Sequence, residues 1–268
     1  MKLNYTHVDA FADRPFAGNQ AAVMPLDAWL PDHVLQAIAE ENNFAETAFT
    51  VSDASGAADF ELRWFTPALE IALCGHATLA AGHVLIGDRD RVRFRTRKAG
   101  VLEVRRDGAG LALSLPAYPP APMDGPPDWA GLLGALPAEH HAHPGRYNVL
   151  LYRSADEVLA LRPDFKALGA RGDHQYICTA PGGGHASGAD VVSRVFVPGA
   201  GVDEDSVTGS AHAVLTPFWA ARLGRDRFTA CQASARGGML SCRLDGDRAW
   251  LGGQCVTVVE GVFHLPGA

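Results

Sequence analysis

Glu46, His76 and Asp205, with the glycine-led segments Cys74-Gly75-His76 and Thr208-Gly209-Ser210, are the residues of this 268-residue sequence best suited to proton transfer on an acid. Glu46 sits in Phe44-Ala45-Glu46-Thr47-Ala48-Phe49. A carboxylate among Phe and Ala is desolvated, which raises its pKa and suits it to acid/base work near neutral pH. A strand-face Glu with neighbours alternating to solvent fits the same residues. His76, in the first turn of an apolar helix, could as a neutral ring shuttle a proton or donate to an oxyanion. A capping contact to nearby backbone is its alternative. Asp205 closes the acidic run Asp203-Glu204-Asp205 before a second helix start. It either joins the chemistry or complements the helix dipole from a solvated loop.

Helix N-termini leave backbone N–H groups unpaired and carry partial positive charge, so they bind carboxylates. Gly75 and Gly209 open two such termini, and glycine lets a ligand approach the backbone closely. Ser210 adds a hydroxyl beside the second. Facing termini could hold an acid from both sides; alternatively, the glycines serve only tight loop-to-helix turns.

The elements that position these residues are duplicated. Arg63-Trp-Phe65-Thr-Pro67 returns about half a chain later as Arg194-Val-Phe196-Val-Pro198. Gly75-His-Ala77 opens one apolar run and Gly209-Ser-Ala211 another. Gly100-Val-Leu102-Glu-Val-Arg105-Arg-Asp107-Gly108 returns as Gly238-Met-Leu240-Ser-Cys-Arg243-Leu-Asp245-Gly246. A repeat of this period fixes the architecture. Each copy reads as a strand ending at the Pro, then a helix apolar nearly all round, then a hairpin with Asp-Gly at its turn. The first helix carries Leu79, Ala80, Val84, Leu85 and Ile86; the second carries Val214, Leu215, Phe218, Trp219 and Leu223. The expected fold is α+β: two pseudo-symmetric lobes, each a mostly antiparallel sheet or barrel around a central helix, with the working site in the cleft between them. The lobes are expected over residues 1–116 and 117–256, with a last strand, 257–268, returning to the first. The Pro-rich stretch Pro116 to Pro127 reads as the crossover. A further helix is expected to begin at Pro31, with Leu35, Ile38 and Ala39 as its apolar stripe.

Composition narrows the partners. Apolar residues are 47% and charged residues 20%, an ordinary globular composition. A net charge of −7 argues against a nucleic-acid surface, which needs clustered Lys and Arg. The basic stretch from Arg89 to Lys98 alternates with Val92, Phe94 and Thr96 and reads as the solvated face of a strand. The opening residues have no apolar signal core, and no apolar run reaches the ~20 residues of a membrane span. The five cysteines form no C-x-x-C pair, as expected of reduced cytosolic thiols. The expected location is cytoplasmic. Glu139-His140-His141-Ala-His143 matches no standard metal spacing and is expected to be an exposed loop. The glycine-rich segment from Gly182 to Gly188 is expected to be a hairpin loop, since no helix follows it.

The segments GNQAAV (Gly18 to Val23), NNFAETAF (Asn42 to Phe49), RWFTP with LCGHATLAA (Arg63 to Ala81), VDEDSVTGSAH (Val202 to His212) and QASARGGML (Gln232 to Leu240) together resemble the signatures of the phenazine-biosynthesis PhzF-like family. That family shares its duplicated fold with diaminopimelate epimerase and proline racemase. The resemblance implies an isomerase without metal or cofactor that moves a proton within a small carboxylic acid. Its catalytic Glu, His and Asp fall on Glu46, His76 and Asp205. Its substrate-carboxylate contacts fall on Gly75, Gly209 and Ser210. Homodimers are common in the family. The epimerase and racemase relatives use a cysteine from each lobe; here carboxylates stand in the equivalent regions, and Cys74 reads as a small packing residue. A small-acid binding or regulatory protein that has lost turnover, or a two-base epimerase or racemase, are the alternatives.

Overall fold

The computed structural model describes residues 1–125, 128–144 and 146–265. The chain divides into two compact units, Met1–Leu115 with Gly252–Ala268, and Pro116–Leu251. Set against the expected 1–116, 117–256 and 257–268, the second unit ends earlier and the returning strand starts at Cys255. Close backbone packing accounts for this. A Cβ on Gly253 would meet Phe11 Cδ1 at 2.5 Å, and one on Gly110 would meet the Gly253 carbonyl oxygen at 2.6 Å.

Unit 1 contains β1 (Lys2–Ala10), β2 (Asn19–Pro25), α1 (Asp32–Asn42), β3 (Glu46–Ser52), β4 (Phe60–Phe65), β5 (Glu70–Ile71), α2 (Gly75–Leu85), β6 (Arg91–Thr96), β7 (Val101–Asp107) and β8 (Gly110–Pro116). Unit 2 contains β9 (Ala121–Pro122), α3 (Trp129–Leu133), β10 (Glu139–His143), β11 (Tyr147–Leu151), α4 (Ala155–Leu159), α5 (Phe165–Gly169), β12 (Gln175–Pro181), β13 (Val191–Val197), β14 (Val202–Asp205), α6 (Gly209–Leu223), β15 (Arg227–Gln232), β16 (Gly238–Asp245) and β17 (Arg248–Gly253). Strand β18 (Cys255–His264) pairs antiparallel with β1 and completes unit 1.

The strand pairings repeat. In unit 1, β1 and β2 are antiparallel, β2 and β3 parallel, β3 and β4 antiparallel, β4 and β6 parallel, and β6 and β7 antiparallel; β5 hangs on β4. In unit 2 the same sequence of senses runs through β10, β11, β12, β13, β15 and β16, with β14 on β13. Most pairings are antiparallel, as the hairpin signals predict. The Asp-Gly turns recur as well, with Gly108 at φ 58 and Gly246 at φ 60, left-handed values that favour glycine. Helix α2 packs on β1, β2, β3 and β7, and α6 on β16 and β11. Both are buried through most of their length, which their uniform apolarity requires.

The repeat extends to an ion pair. Arg63 Nε and Nη2 donate to Glu70 at 2.8 and 2.7 Å, and Arg194 Nε and Nη2 donate to Glu204 at 2.8 and 2.9 Å. Each guanidinium also lies over a Phe ring of its own strand, Phe65 or Phe196, at 4.9 Å. The recurring Arg-x-Phe of the sequence is therefore one structural device used twice: a two-pronged pair that ties β4 to β5 and β13 to β14.

Two expectations need correction. Helix α1 begins at Asp32, with Pro31 as its cap and not its first residue, although Leu35, Ile38 and Ala39 are buried as read. Glu139–His143 is a strand, β10, paired on one side with β11 and on the other with β9. Its polarity hid this: His141 is 8% exposed and lies against Glu139, Arg222 and Phe218. The Pro-rich stretch contributes β9; Pro126 and Pro127 of it lie outside the described residues. The arginines of β6 do alternate with buried Val92, Phe94 and Thr96.

Candidate functional site

In unit 1 the candidates gather where β2, β3 and α2 begin. Glu46 opens β3, level with Ala21 of β2. From Thr47 to Thr50 every residue of β3 is buried, so the strand has no solvent face there and Glu46 stands at its mouth. Its side chain is 14% exposed, and Oε2 lies 2.9 Å from Nε2 of His76. The contact is an ion pair when the ring is doubly protonated. The nearest partner of the carboxylate is thus an imidazole, and not the Phe and Ala side chains that flank it in sequence.

His76 is 3% exposed and follows Gly75 at the start of α2. It does not cap the helix. Its ring meets Glu46 on one side and Asn19 Nδ2 on the other, 3.1 Å from Nδ1. Asn19 opens β2 and is 2% exposed. It is held there by Gly18 (φ +64), where a Cβ would meet the Ala10 carbonyl oxygen at 2.2 Å. Its amide orientation is linked to the ring's protonation. With Nδ2 facing Nδ1, the ring keeps one proton, on Nε2; with Oδ1 facing, it keeps two.

Burial opposes a charged ring. The Cys74 sulfur, 3.6 Å from Nδ1, and the Glu46 carboxylate more than offset it, and His76 holds its proton well above the usual histidine range. Burial pushes the Cys74 thiol itself up to about 11. The direction of the His76 shift favours a doubly protonated ring, whereas Asn19 Nδ2 facing Nδ1 favours a singly protonated one.

The donor atoms of Glu46, Cys74 and His76 lie within 4.8 Å of one another, a spacing that could bridge a metal ion. Binding one would release the thiol proton and require an unprotonated ring nitrogen.

In unit 2 the candidates gather where β14 ends and α6 begins. The acidic run divides three ways. Asp203 is exposed, Glu204 pairs with Arg194, and Asp205 is half-buried at the end of a strand, not in a solvated loop. Asp205 Oδ2 accepts the Thr208 hydroxyl at 2.6 Å. Gln232, fully buried, braces this corner: Oε1 accepts from the Thr208 N–H at 2.8 Å, and Nε2 donates to the Asp205 carbonyl at 2.8 Å. Gly209 is buried, and Ser210 is half-buried, bonded to Gln175 Nε2 at 3.0 Å. His212 Nδ1 binds the Thr208 carbonyl at 2.9 Å, and burial lowers its pKa to about 4, so it is neutral.

The structure thus brings Glu46, Gly75 and His76 together in one unit and Asp205, Gly209 and Ser210 together in the other. Sequence reasoning passed over Asn19 and Gln232, although both lie in segments singled out above, because their partners are distant in the chain. A pocket of about 160 Å³ lined by Arg63, Glu70, Arg97 and Lys98, among others, includes none of the candidates. Glu70 and Asp32 already pair with Arg63 and Arg97 there. Among the described residues, no helix is long and apolar enough to cross a membrane.

Residues 8–261 match a family described as phenazine biosynthesis-like protein. An isomerase of uncharacterised reaction from Pseudomonas aeruginosa is 45% identical over 269 residues, covering 99% of this chain and 100% of that one. The crystal structure of a phenazine biosynthesis protein of the PhzF family from Enterococcus faecalis superposes with a TM-score of 0.91 at 39% identity, covering 99% of this chain and 100% of that chain. A hydroxyproline epimerase from Agrobacterium vitis shares the fold at a TM-score of 0.59 and 12% identity, covering 97% of this chain and 92% of that chain.

Proposed function

Because the chain belongs to the phenazine biosynthesis-like family, we propose that it is an isomerase that moves a proton within a small carboxylic acid, with Glu46 as the base. The observation that carries this reading is the Glu46–His76 pair, a carboxylate and an imidazole in contact at 2.9 Å beside a glycine-led helix terminus.

Glu46 takes a proton from an activated carbon and returns it to another carbon of the same molecule, so no oxidant or co-reactant is consumed. Paired at Oε2, Glu46 presents Oε1 to the substrate. His76 holds that carboxylate in place and can pass it a proton. The backbone N–H groups at Gly75 and Gly209, with the Ser210 hydroxyl, bind the substrate carboxylate and the charge that develops on it. Asp205, steadied by Thr208 and Gln232, relays or tunes the proton.

The test is incubation of a panel of small carboxylic acids bearing an activated C–H in deuterated water, read by NMR. Wild type should wash deuterium into at least one acid, and Glu46→Gln, nearly the same size, should not. Exchange that survives Glu46→Gln unchanged would remove Glu46 from the chemistry. Wild type that binds an acid tightly and exchanges nothing would be a binding protein.

A further inference from the structure

The pairing registers locate the counterpart of Glu46 in unit 2. In unit 1, Thr47 of β3 lies opposite Phe65 of β4; in unit 2, Tyr176 of β12 lies opposite Phe196 of β13. Phe65 and Phe196 are the matching residues of the repeated Arg-x-Phe. Thr47 therefore corresponds to Tyr176, and Glu46 to Gln175. The parallel neighbours agree, since Ala21 of β2 is level with Glu46 as Tyr147 of β11 is with Gln175. His76 and Ser210 correspond in turn, each second in its helix. The two contacts, Glu46 to His76 at 2.9 Å and Gln175 to Ser210 at 3.0 Å, are one contact made twice. In unit 1 it joins two titratable groups. In unit 2 it joins two neutral ones.

A neutral amide is suited to a different task. Gln175 is 7% exposed, so its side chain is fixed by its surroundings. Its Nε2 donates to Ser210 Oγ at 3.0 Å, and the Ser210 hydroxyl reaches Gln175 Oε1 only at the longer 3.4 Å. The shorter bond occupies a lone pair of the hydroxyl, and a substrate carboxylate, a stronger acceptor than the amide oxygen, would draw the hydroxyl hydrogen away from that longer contact. A carboxylate at the same place would accept that hydrogen and repel an acid.

We propose that Gln175 is a positioning residue for acid binding, which by donating to Ser210 aims the Ser210 hydroxyl hydrogen at the substrate carboxylate. This rests on the isomerase reading above. It adds that the position equivalent to the base must stay neutral for the acid to be held.

The experiment compares KM and kcat for exchange of the acid that wild type turns over, in Gln175→Met, Ser210→Ala and the double variant. Met matches Gln in length and cannot donate. Gln175→Met should raise KM about tenfold, the effect of losing one hydrogen bond to a charged ligand, with kcat within about twofold. If Gln175 acts through Ser210, the double variant should be no worse than Ser210→Ala alone. Gln175→Glu, a second variant of native size, should raise KM further than Gln175→Met. KM unchanged in both Gln175 variants, or a double variant in which the two losses multiply, overturns the proposal while leaving the isomerase reading intact. Absence of exchange by wild type on every acid overturns both.

Discussion

At the start of α2 the Cys74 carbonyl accepts the Thr78 hydroxyl; at the start of α6 the Thr208 carbonyl accepts a ring nitrogen of His212. Thr78 and His212 hold the same place in their helices, and both helices open with a buried glycine. Beside these shared supports the chemistry parts. Unit 1 sets a carboxylate against an imidazole, and unit 2 sets an amide against a hydroxyl. Duplication has conserved the backbone devices, namely the Arg–Glu tie, the Asp-Gly turns and the glycine-led helix, and has let the side chains at the mouth diverge. A framework that satisfies its own hydrogen bonds leaves those positions open to different uses.

The sharpest way to break this comparison is kinetic. Glu46→Gln should cost about a thousandfold in kcat, the middle of the range for losing an acid/base group, whereas changes at Gln175 should act on KM. Equal losses of kcat from both units would erase the distinction.

Next in size is the Arg–Glu tie. Arg63→Met leaves Glu70 with Arg97 alone and empties the place between Trp29 and Phe65, so it should cost about 3 kcal/mol in urea unfolding. Arg194→Met should cost about as much, because Glu204 loses its partner and the carbonyls of Val158, Leu159 and Leu161 lose a donor. A large effect in one unit and none in the other would show that only one copy still depends on the device.

Two titrations follow, with opposite signs. His212 is neutral in the fold, with its pKa lowered to about 4 from 6.5. Its contribution is present above pH 6.5 and is lost as pH falls from there toward 4, up to about 3 kcal/mol. His212→Thr copies the Thr78 arrangement and should abolish that loss, though the smaller side chain lowers stability at pH 7. Unfolding midpoints across this range decide it. His76 has a raised pKa, so its ion pair stabilises the fold below pH 6.5 and is lost as pH climbs through the folded value. Glu46→Gln should remove this dependence, and NMR of the ring should show its pKa falling as burial takes over. The smallest effect belongs to Cys74→Ala. A neutral thiol contributes packing and no charge, so turnover should stay within about twofold.

The duplication was legible because the recurring residues are those that dictate backbone: Arg-x-Phe at a tied strand, Gly at a helix start, Asp-Gly at a turn. The correspondence of Glu46 and Gln175 was not. ETAFTVS and QYICTAP share little, since both strands are buried and many apolar sequences fill such a place. Only the pairing register aligns them. The Glu46–His76 pair was illegible for a related reason, because folding brings the two together from distant places in the sequence. Strand β10 was missed because its histidines find polar partners inside the fold, a thing no hydropathy pattern reveals.

The pairing of β1 with β18 has a consequence for synthesis. Unit 2 is continuous, and all its strands can find their partners as soon as Leu251 has emerged. Unit 1 is not: β1, made first among the strands, waits with one edge unpaired until β18, made last, arrives to cover it from Lys2 to Ala10. An open strand edge invites pairing with other chains. During translation the half that carries Glu46 is therefore the half exposed to misassembly, and it is completed only after the half that carries Ser210 has had time to fold.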